Sequence, residues 1–184
     1  MLEVKHLKKT FGDYTAVEDL SFTIEPGTIM GLIGQNGAGK TTTFRLILDF
    51  LEADHGEVLW EGKPINSQVY NQIGYLPEER GLYPKATIQD QRVFFAELRG
   101  KTKKEILPKI DEWMAKFQVK GKKTDKVKAL SKGNQQKVQL IATLIHEPQL
   151  VILDEPFSGL DPVNAELLMD GILELKAKGS CVIF

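Results

Sequence analysis

The sequence predicts an α/β fold made of an α/β core, an N-terminal antiparallel β subdomain and an inserted α-helical subdomain. Residues 28–33 and 149–153 are continuous apolar runs, as in strands that a sheet buries on both faces. A glycine-rich loop and a helix-forming segment follow the first run. Residues 87–146 instead carry apolar side chains at helical spacing. We therefore expect one domain of 184 residues, with the β subdomain and the loop half of the core at 1–86, the helical subdomain at 87–146 and the other half of the core at 147–184.

Composition and charge exclude several classes of protein. The chain has 42% hydrophobic and 27% charged residues, which is typical of a globular domain. Its formal net charge of -1 gives no overall attraction to nucleic acid or to an anionic membrane. No apolar run approaches the roughly 18 residues of a membrane span. The single cysteine, Cys181, lies in an apolar run, where we expect a buried thiol in a reducing cytosol.

The N-terminal segment is predicted to be mostly strand. Residues 2–7 and 20–24 have strand character, with turns at 11–14 and 25–27. The run at 28–33 precedes a helix expected from Lys40 to about Leu51. Residues 57–65 are expected to form a hairpin.

The middle segment is predicted to be helical. Thr87 can cap a helix with Ile88, Phe94, Phe95 and Leu98 on its apolar face, and Thr102 can cap the next helix. Residues 101–137 contain 12 lysines and 4 acidic residues, a net charge of +8. This charge fits solvated helix faces at least as well as an interaction patch. Further on, Asp161 and Pro162 are a typical helix start, and residues 180–184 indicate another buried strand.

The stretch GQNGAGKT, residues 34–41, fits the phosphate-loop pattern G-x-x-x-x-G-K-[ST]. It lies between a predicted buried strand and a predicted helix, which is the context that the pattern requires. Its backbone N–H groups can surround phosphate oxygens, Lys40 can reach the β- and γ-phosphates, and the Thr41 hydroxyl can ligate Mg²⁺. The core is therefore predicted to be a P-loop NTPase (RecA-like) core. The expected nucleotide-binding residues are Gly34, Gln35, Asn36, Gly37, Ala38, Gly39, Lys40, Thr41 and Thr42.

Two acidic residues, Asp154 and Glu155, follow the apolar run at 149–153. The end of a strand beside a phosphate loop is where an α/β sheet places a metal carboxylate. We expect Asp154 to bind Mg²⁺ and Glu155 to polarise the attacking water as general base. The two motifs indicate an NTPase and leave its class open.

The stretch LSKGNQQK, residues 130–137, and the later SGLD, residues 158–161, resemble the ATP-binding cassette (ABC) ATPases. The resemblance covers nearly the whole chain. It implies that Ser131, Lys132, Gly133 and Asn134 form a signature motif that grips the γ-phosphate bound by a second subunit. It also implies that Phe11 stacks on adenine and that Asp161 couples the two sites of a dimer. Residues 73–80, with Glu78 as a catalytic and metal-binding residue, correspond to the loop that contacts a transmembrane partner.

This resemblance further implies a function. The expected protein binds and hydrolyses ATP with Mg²⁺, forms a head-to-tail homodimer and powers transmembrane permease subunits from the cytoplasmic face of the cell membrane. Within the family, the chain is similar to bacterial ABC-2-type exporter ATPases, a group that includes sodium- and drug-efflux systems.

Three residues depart from the family pattern. Lys132 and Asn134 replace a glycine and a glutamine of the signature, while Ser131 and Gly133 remain. Glu78 stands where most members have a glutamine. A carboxylate at this position can still ligate a metal, and it adds negative charge beside the γ-phosphate.

The resemblance also predicts a switch histidine just beyond the last residue, Phe184. His6, His55 and His146 lie in a strand, a turn and a helix end, so none of them is expected to replace it. The sequence is therefore expected to be a C-terminally truncated cassette with impaired hydrolysis.

Other classes remain as alternatives at this point. One is a soluble ABC ATPase that is not coupled to transport, and another is a nucleotide-sensing module without catalysis. A GTPase or small-molecule kinase could use the same phosphate loop, although the sequence has no N-K-x-D guanine motif.

Overall fold

Two four-stranded sheets organise the chain in the computed structural model, which describes residues 1–79 and 81–184. Arg80, the last residue of the predicted partner-contacting loop, lies outside the described residues. The antiparallel sheet has the order β2-β1-β4-β5. Its strands are β1 (Leu2–Phe11), β2 (Tyr14–Ile24), β4 (His55–Trp60) and β5 (Lys63–Pro64). The parallel sheet has the order β3-β8-β7-β6 and consists of β3 (Ile29–Met30), β6 (Ile73–Leu76), β7 (Leu150–Leu153) and β8 (Cys181–Ile183).

The helices begin where the sequence provides caps. They are α1 (Lys40–Ile47), α2 (Ile88–Glu97), α3 (Lys103–Lys116), α4 (Lys132–Leu144) and α5 (Pro162–Ala177). Thr87 and Asp161 cap α2 and α5 as predicted, because each side chain accepts a hydrogen bond from a backbone N–H in the first turn. Thr102 forms a complete capping box with Glu105 at the start of α3.

The two central strands of the parallel sheet, β7 and β8, are buried on both faces, and this burial joins the two halves of the core. Val151 and Leu153 of β7 pack with the helices, whereas Leu150 and Ile152 pack with the antiparallel sheet and α1. Alternate strand residues face opposite sides, so a continuous apolar run is what this position requires. The predicted strands at 149–153 and 180–184 are confirmed, and Cys181 is buried.

Two predicted elements are shorter than expected. The strand predicted at 28–33 spans only Ile29–Met30, and Ile33 is almost fully exposed. Within the described residues β3 pairs only with β8 and forms the edge of its sheet, and both of its residues are only partly buried. The helix predicted to reach Leu51 ends at Ile47 because Asp49 adopts a positive φ. Its N–H bonds to Leu46 and the N–H of Phe50 to Arg45, a Schellman motif that stops the helix.

The apolar face predicted for α2 is wrong in part. Ile88 is buried, but Phe94 is 43% exposed and Leu98, which follows the helix, is 64% exposed. The buried side instead contains Ile88, Arg92 and Ala96, at intervals of four residues. This side packs against α3 and α4, so the aromatic side of α2 faces solvent.

No helix in the ranges 1–79 and 81–184 combines the length and the apolar character that a membrane crossing requires.

Candidate nucleotide-binding site

An open cleft of about 510 Å³ brings together most of the predicted nucleotide-binding residues. It lies where the phosphate loop enters α1, next to the β1–β2 hairpin and the end of β7. The predicted residues that line it are Phe11, Gln35, Asn36, Gly37, Gly39, Lys40, Thr41, Thr42, Glu78 and Glu155. Gly34 and Ala38 belong to the same loop without lining the cleft, and Asp154 does not line it but lies beside Thr41 and Lys40. Tyr14, Ala16 and Ser158 line it as well, and none of these three residues was predicted to bind the nucleotide.

Glycine is required at one loop position by a close backbone approach. Gly37 and Gly39 both have φ of 85°, in the left-handed region that glycine adopts easily. A Cβ atom at Gly39 would lie 2.1 Å from the carbonyl oxygen of Ala16, whereas one at Gly37 would meet nothing within 4 Å. The loop is thus pressed against β2 at Gly39, where α1 begins with its unpaired N–H groups.

Lys40 is held across the cleft by oxygen atoms. Its Nζ donates to the Gly34 carbonyl oxygen at 2.8 Å and lies 3.2 Å from Oε1 of Glu155. Glu155 itself has φ of 50°, an unfavourable conformation for a residue with a side chain. Such strain is common at functional positions, and here it accompanies the contact between Glu155 and Lys40. An entering phosphate group would compete with both oxygens for the ammonium group.

Asp154 is the most enclosed acidic group near the cleft, with 2% of its surface exposed. Neither carboxylate oxygen has a hydrogen-bond partner among the described residues. Burial raises the pKa of this carboxyl, and the nearby Thr41 hydroxyl acts in the opposite direction. A buried carboxylate without partners is costly unless a cation or a donor satisfies it. Asp154 and the Thr41 hydroxyl therefore fit a hard cation such as Mg²⁺, which prefers a few carboxylate, hydroxyl and phosphate oxygens over an all-protein cage.

No cluster of three or more metal-ligating side chains occurs in the described part of the chain. A cation here would need oxygens from a bound phosphate in addition to Asp154 and Thr41. This arrangement fits a metal that enters with a nucleotide rather than a permanent metal centre.

Two aromatic residues stand at the mouth of the cleft. Phe11 and Tyr14 are paired at the end of the β1–β2 hairpin, and both rings are about half exposed. The Tyr14 hydroxyl donates to the Gly37 carbonyl oxygen at 2.7 Å, which ties the hairpin to the phosphate loop. The sequence places Tyr14 opposite Phe11 across the predicted turn at 11–14, but no local pattern indicates its contact with Gly37. Stacking of Phe11 on adenine stays a prediction.

The residues of the expected signature motif do not line this cleft. Ser131, Gly133 and Asn134 line a separate depression of about 520 Å³, together with Asp161 and Lys137. Ser131 caps α4 by accepting from the Asn134 N–H, and Asp161 accepts from the Asn164 N–H at 2.9 Å. Lys132 is the first residue of α4. One chain therefore presents two polar surfaces, one around the phosphate loop and one around the start of α4.

Comparison with known proteins places the chain and its fold in one family. A family model described as "ABC transporter" matches residues 17–158. The chain is 50% identical over its whole length to the uncharacterized ABC transporter ATP-binding protein YhaQ of Bacillus subtilis, of which it covers 62%. It is 31% identical, also over its whole length, to the linearmycin resistance ATP-binding protein LnrL of the same organism, of which it covers 60%. The chain thus spans about three fifths of the length of these curated relatives.

The fold is similar to a solved ATP-binding subunit of an ABC transporter. The TM-score is 0.91 with 31% sequence identity, and the match covers 100% of this chain and 78% of the other. The predicted α/β fold, with its antiparallel sheet, parallel core sheet and helical insertion, is confirmed.

Proposed function

Because the chain belongs to the ABC transporter family, as an ATP-binding domain, we propose that it binds ATP with Mg²⁺ in the phosphate-loop cleft and hydrolyses it. One observation carries this proposal. The phosphate loop, Lys40, Glu78 and Glu155 line one cleft, and the buried carboxylate of Asp154 lies beside two of the lining residues, Thr41 and Lys40. Each of these groups is of the type that phosphoryl transfer requires at that place.

The proposed mechanism assigns one task to each group. The loop N–H groups and the start of α1 bind the phosphate oxygens, and Lys40 exchanges the Gly34 carbonyl and Glu155 for the β- and γ-phosphates. Release from Lys40 leaves the Glu155 carboxylate available to accept a proton from the attacking water. Bound Mg²⁺ would supply charge neutralisation at the phosphates, with Asp154 and Thr41 holding it and Glu78 at the edge of the site.

The nucleotide itself is tested by competition. ATP should displace a fluorescent ATP analogue from the purified chain, and GTP should displace it much less. Lys40→Ala should bind neither nucleotide measurably, because it loses the cation that faces the phosphates. Equal displacement by GTP would contradict the assignment to ATP, and unchanged ATP affinity in Lys40→Ala would contradict the assignment of the cleft.

We propose that two copies close head to tail around two nucleotides. The support is the separation of the two polar surfaces, since Ser131 and Gly133 line a depression that shares no residue with the phosphate-loop cleft. A hydroxyl and free N–H groups at the start of α4 are suited to a phosphate anion. Light scattering after chromatography should show a dimer with ATP and a monomer without it. ATP-dependent dimers that persist in Ser131→Arg would contradict the role of this surface.

The third part of the proposal is coupling to an exporter. LnrL is a linearmycin resistance ATP-binding protein, and resistance to a compound fits its outward transport. We propose that the longer protein acts at the cytoplasmic face of the membrane with permease subunits and powers export of a substrate that they select. Affinity purification of the protein from detergent-solubilised membranes should recover a protein with several membrane spans. Recovery from the soluble fraction alone, with ATPase activity intact, would favour a soluble ABC ATPase instead.

A further inference from the structure

The positive charge of this chain is concentrated in the helical subdomain. Residues 87–146 contain 14 lysines and arginines and 6 acidic residues, a net charge of +8, whereas the whole chain has a formal net charge of -1. The rest of the chain therefore carries a net charge of -9. Such an asymmetry indicates an anionic partner for the positive part, even though the overall charge attracts none.

Two lysine-bearing segments run side by side at the start of α2. Residues 84–89 and 122–128 are joined by an antiparallel bridge between Thr87 and Lys126 and by four backbone hydrogen bonds of 2.9–3.0 Å. Val127 is only 1% exposed and fixes the second segment to the core. We call the two segments the basic ribbon. It contains five lysines: Lys85, Lys122, Lys123, Lys126 and Lys128.

Most of the ribbon lysines lack an acidic partner. Lys123 is the exception, since its Nζ lies 2.6 Å from the Asp111 carboxylate. Lys109 and Lys116 of α3 are likewise each paired with a glutamate. Four ribbon lysines are exposed and form no ion pair within the described residues: Lys85, Lys122, Lys126 and Lys128. Their charges lie close together, and an external anion can reach all of them.

Two aspartates near the ribbon do not neutralise it. The Asp125 carboxylate accepts a hydrogen bond from the Lys122 backbone N–H at 2.8 Å. The Asp90 carboxylate accepts one from the Thr87 hydroxyl at 2.7 Å. With both aspartates counted, the five lysines leave a net charge of +3. This excess is held at a fixed place on the surface, because the backbone that carries it is hydrogen-bonded on both sides of the bridge.

Anionic lipid fits this charge better than a membrane protein does. Cytoplasmic loops of membrane proteins carry an excess of lysine and arginine, so they would repel the ribbon. Lipids of the cytoplasmic leaflet include anionic headgroups, which attract lysines near the surface and strengthen binding about fivefold per lysine. The charge of the ribbon is therefore complementary to the bilayer rather than to the loops of a permease.

Nucleic acid is the other common polyanion, and the composition of the ribbon argues against it. Arginine forks bind phosphates bidentately, and aromatic rings stack on bases. Residues 84–89 and 122–128 contain neither an arginine nor an aromatic residue. Lysines alone are hydrated point charges, and they suit a fluid layer of headgroups that demands no fixed geometry.

We propose that the basic ribbon binds anionic phospholipid headgroups and thereby turns the start of α2 toward the bilayer. This inference rests on the proposed place of the protein at the cytoplasmic face of the membrane, and it adds a direct lipid contact to the contact with permease subunits. No ribbon residue lines the phosphate-loop cleft or the depression at the start of α4. Lipid binding and nucleotide binding can therefore be changed separately.

Vesicle binding by the purified chain tests the proposal without ATP or a permease. Vesicles of equal parts phosphatidylglycerol and phosphatidylcholine should sediment the chain, and vesicles of phosphatidylcholine alone should not. Raising the ionic strength from about 0.1 M to about 1 M should release it, because the Debye length falls from about 10 Å to about 3 Å. Failure to bind the mixed vesicles, equal binding to both compositions, or binding that salt does not weaken would overturn the proposal.

A matched pair of double variants tests the location of the contact. Lys126→Gln with Lys128→Gln should weaken binding to the mixed vesicles about 25-fold, at about fivefold per lysine. Lys103→Gln with Lys104→Gln removes the same charge from exposed positions at the other end of α2, where α3 begins, and should weaken it much less. Equal losses in the two variants would show that only the charge of the whole subdomain matters, and would overturn the assignment to the ribbon.

Further measurements on the same samples separate this proposal from the others. Tighter binding of single-stranded RNA or duplex DNA than of phosphatidylglycerol, at equal phosphate concentration, would overturn the choice of lipid. ATP binding should be equal in wild type and both double variants, since the substituted lysines lie outside the cleft. Vesicle binding without ATP binding would contradict the assignment of the cleft and support the ribbon. ATP binding and a recovered permease, without vesicle binding, would overturn the ribbon alone.

Discussion

Glu155→Gln should strengthen ATP binding and, at the same time, slow hydrolysis. In the nucleotide-free protein the carboxylate of Glu155 lies 3.2 Å from the Lys40 ammonium group. ATP must break this contact before Lys40 can reach a phosphate. Glutamine preserves the size of the side chain and removes its charge, so it weakens the competitor for Lys40 and also removes the general base.

The size of the effect on binding follows from the exposure of the pair. The side chains of Lys40 and Glu155 are 17% and 39% exposed, so the contact is partly screened and is worth about 0.5–1 kcal/mol. Its loss should tighten ATP binding by a factor of about 2–5. A positioned general base contributes about 10²–10⁴ in rate, so turnover should fall at least about 100-fold.

Two measurements check this prediction. Titration with a fluorescent ATP analogue gives the affinity, and phosphate release gives the turnover, both on a longer version of the protein and on this chain. Glu78→Gln is the matched control for affinity, since it removes a charge from the same cleft and Glu78 is not within ion-pair distance of Lys40. Weaker ATP binding by Glu155→Gln would refute the competition argument. Wild-type turnover would refute the assignment of the base.

Three further predictions concern stability and loop geometry. Gly39→Ala should unfold at a lower urea concentration than Gly37→Ala and should lose ATP binding. Both positions have φ of 85°, but only at Gly39 would the added methyl group lie 2.1 Å from the Ala16 carbonyl oxygen. Equal urea midpoints and equal ATP affinities of the two variants would exclude the clash. His146 has its folded pKa lowered from 6.5 to about 4, so between these values the unfolded state binds more protons and stability falls with falling pH, by about 3 kcal/mol in total. Urea unfolding of His146→Gln should lack this component, and an identical pH profile would exclude it. Arg92→Met should raise the free energy of unfolding in urea by about 1–4 kcal/mol, because it removes a buried charge. Arg99→Met should lower it, because this variant loses the hydrogen bond to the Tyr70 carbonyl oxygen. A destabilised Arg92→Met would mean that Arg92 is paired.

Local patterns were sufficient for much of the fold and for most of the residues that line the cleft. Residues 34–41, the caps at Thr87 and Thr102 and the strand before Asp154 were predictable because each depends on neighbours in the sequence. The hydrogen bonds of Tyr14 and His146 were not predictable. Tyr14 bonds to Gly37 and His146 to Ile73, and each partner lies far away in the sequence. No local pattern reports such a pairing.

The length of β3 and the orientation of α2 were mispredicted for a related reason. A continuous apolar run indicates burial without showing whether a neighbouring strand covers both edges, and β3 pairs only with β8 within the described residues. In the same way, Phe94 and Leu98 are apolar residues at helical spacing that face solvent. Hydrophobic periodicity predicts that a face is covered by something, and it does not distinguish the chain's own core from a partner.

Asp154 and Arg92 show that a buried, unpaired charge has no single meaning. Both side chains are almost fully buried, and neither charged group has a hydrogen-bond partner among the described residues. Burial raises the pKa of Asp154 and lowers the pKa of Arg92 to about 9, so in each case it opposes the charge. Asp154 lies beside Thr41 and Lys40, where an entering cation can offset the cost of its burial. For Arg92 burial alone accounts for the shift.

This difference separates a functional charge from one that only reduces stability. Asp154→Asn should raise the free energy of unfolding of the nucleotide-free protein, because it removes a carboxylate whose burial is unfavourable at pH 7. The same variant should lose the part of ATP affinity that depends on Mg²⁺. Arg92→Met should raise stability to a similar degree and leave Mg²⁺-dependent ATP binding unchanged. Urea unfolding and ATP titrations with Mg²⁺ or EDTA measure both quantities. A loss of Mg²⁺ dependence in both variants would show that location near the cleft is not what gives Asp154 its role.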